Sequence, residues 1–318
     1  MNFFEKYPLF LRDKKNLKIK EISHFAENII VEEIFDALKK YEQILNSEPR
    51  KVNAIIPVCW DGSTAGRPGA RFAPQKIIEK IINLSLNRNF KNSLLFLPFV
   101  KVIIGEKDKT FDNIEKYVEN VLKLLEHNVI PFFIGGDHSI TEPIIGKYIK
   151  YFGKINLLVF DSHFDLRTVD EGLSGGTYLN SLKTNYKEDL NVIILGINHA
   201  ANPDYLYEKA REFNVRYLDN LECFDVENII EFLICNLQKD LPTYISLDTD
   251  SIDINYIDSV NSPYSFGLLL NVVLKVVWYL FDNYRVVGMD VVEFNPLVGD
   301  VERSVSNLVH LLYYVWAR

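Results

Sequence analysis

Apolar runs of four to nine residues alternate with longer amphipathic stretches along nearly the whole of this 318-residue chain. The pattern predicts eight strands, at 52–58, 95–103, 129–134, 155–160, 192–195, 215–218, 243–247 and 285–292. Between them it predicts helices at 74–84, 111–127, 142–151, 205–213, 228–238, 268–281 and 303–316. Pro74 near a helix start and Asn228 after an acidic turn agree with common start signals. Runs such as Leu157-Leu158-Val159-Phe160 and Val192-Ile193-Ile194-Leu195 are apolar without alternation. A strand apolar on both sides belongs in a parallel sheet covered by helices on both faces. No internal repeat or low-complexity linker divides the chain. The expectation is one three-layer α/β/α domain over residues 1–318, with 1–30 as an N-terminal extension.

Three of the apolar runs end in residues that bind metals. The run 129–134 leads into Gly135-Gly136-Asp137-His138-Ser139, and 155–160 leads into Asp161-Ser162-His163-Phe164-Asp165. The run 243–247 leads into Asp248-Thr249-Asp250. In an extended chain, side chains two apart share a face, so Asp161, His163 and Asp165 are expected to point one way, as are Asp248 and Asp250. Carboxylates held that close repel unless a cation sits among them. With His138 the set supplies two imidazoles and four carboxylates. That donor set suits Mn²⁺, and Mg²⁺ less well, whereas a structural zinc site would call for thiolates. Four carboxylates can neutralise two divalent ions, which together acidify a shared water. Any one motif alone reads equally well as a helix cap or turn. All three follow a predicted strand, at the end where parallel sheets place their sites.

Composition narrows the class. Apolar residues make up 48% of the chain and charged residues 25%, with 35 basic against 43 acidic and a net charge of −8. This is a soluble globular profile without a basic stripe, which argues against nucleic acid. The basic stretch 12–20 reads as a solvated segment. Cys59, Cys223 and Cys235 form no CxxC pair, and residues 1–8 lack a basic flank before a long apolar core. No uncharged apolar run approaches the ~18–20 residues that span a bilayer. A reduced, cytoplasmic protein away from membranes is expected.

The three motifs, with Ser246-Leu247-Asp248-Thr249-Asp250-Ser251-Ile252-Asp253 as the third, resemble the signatures of the ureohydrolase (arginase/agmatinase) family. Pro68-Gly69-Ala70-Arg71-Phe72-Ala73-Pro74 is similar to that family's early segment, and Val291-Val292-Glu293-Phe294-Asn295-Pro296 to its late one. The resemblance implies the arginase-like fold, a central eight-stranded parallel sheet, and two Mn²⁺ per subunit. It implies one ion held by His138, Asp161, Asp165 and Asp248, and the other by His163, Asp161, Asp248 and Asp250. Glu293 matches the carboxylate that binds the amidine or guanidine group, a cation suited to bidentate pairing. A small-molecule substrate and a trimeric or hexameric homo-oligomer are also implied. Three departures stand out: Gly175 falls where most members carry a histidine, Ile254 replaces a proline after Asp253, and 259–264 lacks the usual glycine-rich pattern.

Several features look like the formimidoylglutamase branch: the opening Lys6–Arg12, the small residue at Gly175, and Gly196–Asn202 followed by Tyr205. Independently of that likeness, Arg167 lies two residues past Asp165 and faces the same side if the chain stays extended. An arginine there suits an anionic tail and would repel the ammonium of agmatine; its bland alternative is a surface pair with Asp170 or Glu171. His199 is a further candidate for tail contact. The expected reaction is formimidoylglutamate to glutamate and formamide, with Glu293 orienting the substrate and Asp165 relaying the proton. An agmatinase or other guanidino-compound hydrolase releasing urea is the alternative. A catalytically silent metal-binding relative is the alternative of another class.

Overall fold

The apolar runs pair edge to edge into one ten-stranded sheet. The computed structural model describes residues 9–12, 19–22, 51–84, 90, 92–168, 170 and 174–318. Its strands are β1 (Leu9–Arg12), β2 (Ile19–Ile22), β3 (Val52–Pro57), β4 (Ser93–Phe96), β5 (Val129–Ile134), β6 (Ile155–Phe160), β7 (Leu190–Ile197), β8 (Arg216–Asp219), β9 (Thr243–Asp248) and β10 (Val286–Val292). The helices among the described residues are α1 (Ala73–Ile82), α2 (Lys107–Leu122), α3 (Thr141–Phe152), α4 (Tyr178–Asn185), α5 (Asp204–Glu212), α6 (Val226–Asn236), α7 (Leu270–Asn283) and α8 (Val301–Trp316).

The sheet runs β2-β1-β4-β3-β5-β10-β9-β6-β7-β8. The eight strands from β4 to β8 in that order are all parallel, as the apolar runs imply. Every residue of β3, β6, β9 and β10 is buried. Successive side chains of β3 enter opposite layers: Ala54 and Ile56 join a core with α2, α3, α4 and α5, while Ile55 joins one with α1, α6, α7 and α8. Each buried aliphatic side chain contributes about 1.5–3 kcal/mol relative to exposure, so both layers hold the sheet firmly. No helix among the described residues is long and apolar enough to cross a membrane.

Three elements differ from expectation. The strand read at 95–103 ends at Phe96, because Pro98 has no N–H to offer a ladder. Helix α4 was not expected, since Gly175-Gly176-Thr177 immediately before it reads as a loop. Within residues 1–30, two strands not expected from the pattern, β1 and β2, join the sheet, antiparallel to each other and with β1 antiparallel to β4. They are too short for a periodic signal. Residues 1–8, 13–18 and 23–30, including parts of the opening and basic stretches noted above, lie outside the described residues, as do Glu171 and Leu173.

What matters for the site is the order of the middle strands. β5, β10, β9 and β6 are contiguous, and each carries one of the polar motifs at its carboxyl end. Their registers align those ends: Ile134 lies opposite Val291, Val292 opposite Asp248, and Leu247 opposite Phe160.

Candidate metal centre

Each motif turns sharply as it leaves the sheet. After β5 the chain passes so close to the Trp60 carbonyl that a Cβ on Gly136 would lie 1.4 Å from its oxygen; only glycine fits. Asp137 then caps a short turn, accepting from the backbone N–H of Ser139 at 3.1 Å and from that of Ser63 at 2.7 Å. This delivers His138, buried, to the floor of the site. After β6, Asp161 accepts from the His163 backbone N–H at 2.7 Å, and Asp165 adopts φ 51°. After β9, Asp248 accepts from the Asp250 backbone N–H at 2.8 Å as the chain enters a 3-10 turn at Thr249–Ser251. The side chains therefore converge through turns rather than through the strand alternation expected from the sequence. Glu293, following β10, also takes a left-handed backbone, at φ 64°. Non-glycine residues held there carry strain that the surroundings must sustain, and such residues gather at functional sites.

All six expected ligands meet. His138 Nδ1 lies 3.2 Å from Asp161, 3.1 Å from Asp165 and 3.1 Å from Asp248. His163 Nδ1 lies 3.1 Å from Asp250 and 3.5 Å from Asp161. Two donor groups result, His138–Asp161–Asp248 and Asp161–His163–Asp250, sharing Asp161.

The chemistry of these atoms fits a cation. Ser246 Oγ donates to Asp290 at 2.5 Å, so it accepts from His138 Nε2–H, 3.0 Å away. That fixes the tautomer and leaves Nδ1 bare. In that neutral tautomer the buried Nδ1, which has no hydrogen-bond partner, faces carboxylate oxygens that when ionised also offer only lone pairs. A cation satisfies all of them at once. The proton affinities agree. Burial, then the Asp161 charge, pushes Asp165 up to about 6, and burial, then Asp250 and Asp161, pushes Asp248 well above the carboxylate range. Burial opposes charging His138, yet Tyr178 and the three carboxylates raise it well above an ordinary imidazole. The pocket favours positive charge.

A cavity of about 200 Å³ opens at this cluster, and five of the six expected ligands line it, Asp161 being the exception. Glu293 lines it too, with Oε1 accepting from the His138 backbone N–H at 2.8 Å. Burial, then the Asp137 charge, raises its carboxyl to about 8. A Cβ on Gly175 would come within 3.2 Å of that Oε1, so the absent histidine leaves room beside Glu293. Arg167 reaches the cavity despite the turn at Asp165, and no described residue forms an ion pair with it. His199 does not line the cavity. Its ring is engaged instead by Tyr207 at 2.9 Å and Asp219 at 3.0 Å, so the loop position that suggested a tail contact faces away.

Four supporting residues were missed from sequence. Ser246 and Asp290 were legible in part: Ser246 sits two residues before Asp248, and Asp290 is the lone acid of an apolar strand. Asn202 accepts from the Phe164 N–H at 3.1 Å and donates to the Ser162 carbonyl at 2.8 Å, clamping the loop that bears His163. Tyr264, whose hydroxyl lies 3.2 Å from His163 Nε2, gave no sequence signal.

The arginase-family model matches residues 52–317, which contain every one of these side chains. The chain belongs to the arginase family. It is 26% identical over 272 residues to the mitochondrial guanidino acid hydrolase of Homo sapiens, covering 80% of this chain and 76% of that protein. It is 28% identical over 281 residues to the agmatinase of Neisseria meningitidis serogroup B (strain ATCC BAA-335 / MC58), covering 85% and 88%. Among solved structures, the formimidoylglutamase from Bacillus subtilis superposes with a TM-score of 0.76 at 23% identity, covering 85% of this chain and 87% of that one. The arginase fold is thereby established, and with it membership of a hydrolase family. These relatives differ in the substrates they are named for, so the choice among substrates falls to the residues of this site.

Proposed function

We propose that this arginase-family chain is a dimanganese hydrolase of linear amidines that converts formimidoylglutamate and water to glutamate and formamide. The observation that carries the reading is the shared cavity: cage, Glu293 and Arg167 all face one space of about 200 Å³, and no described residue forms an ion pair with Arg167. The six-ligand cage supports two divalent ions, and bound there they supply a water acidic enough to react near neutral pH. The chain's own groups do the rest. Glu293 pairs with the planar N–C–N cation through charge-assisted hydrogen bonds and turns its carbon toward the cage. Arg167 takes the substrate carboxylates at the mouth. Asp165 accepts the water's proton and returns it to the leaving nitrogen as the C–N bond breaks.

A guanidino-acid hydrolase is the second reading, because Arg167 would serve that substrate's carboxylate equally well. Agmatine fits less well, since its far end is a cation. A substrate panel with Mn²⁺ separates them. The expected result is formamide from formimidoylglutamate, at a kcat/KM far above that for any guanidino compound. Urea from a guanidino acid or from agmatine, with formimidoylglutamate left intact, overturns the proposal.

A further inference from the structure

The two imidazoles of the cage are supported from behind in different ways. His138 leans on Ser246 and Asp290, both buried in the sheet, and Asp290 also accepts from Thr141 at 2.9 Å and Tyr244 at 3.2 Å. His163 leans on one phenol in a surface loop. Its Nε2 lies 3.2 Å from the Tyr264 hydroxyl, with the rings edge to face at 5.6 Å and 63°. Its side chain is 22% exposed, against 1% for His138.

We propose that Tyr264 is the positioning residue of His163 and sets the affinity of the second cation. The proposal rests on the two-cation reading above. His163 Nδ1 faces only carboxylate oxygens, of Asp250 at 3.1 Å and Asp161 at 3.5 Å. For Nδ1 to ligate, the ring proton must reside on Nε2, and the Tyr264 hydroxyl is the acceptor that holds it there. The same hydrogen bond sets the ring's orientation.

Tyr264 is itself pinned. Its carbonyl accepts from the Ile254 N–H at 3.0 Å, closing the loop that begins at Asp253. Three residues earlier, Asn261 accepts from the Arg67 N–H at 3.1 Å and donates to Thr64 Oγ1 at 3.2 Å. Thr64 and Asn261 both line the cavity. Residues 259–264 are also where the sequence departs from the family's glycine-rich pattern. In this chain that stretch ties the cavity mouth to the more exposed imidazole, so the second cation depends on how the loop is seated.

The test is Tyr264→Phe, which removes one oxygen and keeps the ring. Metal-free full-length protein, wild type and variant, is titrated with Mn²⁺, reading bound metal by equilibrium dialysis and the spin-coupled pair by EPR. In the variant the first ion should bind as in wild type and the second about 10–100-fold more weakly, the usual cost of losing a ligand's outer hydrogen bond. Excess Mn²⁺ should restore both the paired signal and turnover, and the melting temperature of the metal-free protein should not move. Two unchanged affinities, or an equal loss at both sites, overturn the role of Tyr264. A wild type that binds fewer than two ions overturns the two-cation reading instead.

Discussion

The cage contains two imidazoles that look equivalent in sequence and differ in their surroundings. The His138 half is built into the sheet: it starts at β5, takes its support from β9 and β10, and is sealed by the Tyr178 ring at 4.3 Å. The His163 half is built from loops, with Asn202 clamping one side and Tyr264 the other. Buried hydrogen bonds in low dielectric rigidify strongly, whereas exposed ones compete with water. The comparison predicts a firm ion and an adjustable one, joined by the carboxylates they share.

The largest effect should come from abolishing the distinction. Asp248→Ala removes a carboxylate expected to bridge both ions, and turnover should fall on the order of a thousandfold or more, together with metal retention in elemental analysis. Normal activity in that variant would sink the cage assignment. Ser246→Ala frees the His138 ring from its buried support. Metal titration should show affinity on that side lowered by about 10–100-fold, mirroring the variant proposed for Tyr264. Loss at the His163 side instead would reverse the comparison.

Asn202→Ala acts on the loop half alone. It breaks hydrogen bonds to Phe164, Ser162 and Asn198, of 3.1, 2.8 and 2.9 Å, at a cost of about 1–3 kcal/mol. Calorimetry should show Tm lower by a few degrees, with metal affinity reduced on the His163 side.

Stability should also depend on pH. Asp165 and Glu293 bind protons more tightly folded than unfolded, their affinities being raised from 3.8 to about 6 and from 4.5 to about 8. The native state therefore carries more protons than the unfolded one between about pH 4 and pH 8, so stability of metal-free protein falls as pH rises through that window. With Mn²⁺ the trend should reverse below pH 6, where protons compete for the ligands. Parallel thermal melts with and without metal check both slopes.

Much of this was legible in the chain. The bounds read for β5 and β6 coincide with those observed, because six-residue apolar runs bounded by polar turns have few other solutions. The six candidate ligands are readable from residue type and position at strand ends, and the structure brings them together. Their convergence was inferred from an extended backbone, yet turns at Asp161 and Asp248 and the left-handed Asp165 achieve it. The supports were harder to read, since Asp290 reaches His138 only through the order of strands in the sheet. Tyr264 meets His163 across a loop 101 residues away in sequence. His199 misled for a related reason: it shares a loop with Asn202 but faces Tyr207, and loop direction has no periodicity to reveal it.

The order β5-β10-β9-β6 has a consequence for synthesis. The strand that seats Glu293 and Asp290 is the last of the sheet to leave the ribosome, and it inserts between partners made earlier. Until it does, β5 and β9 have no common neighbour and the cage has no floor. Such distant pairings form late. A cation captured there would mark a chain that has finished folding.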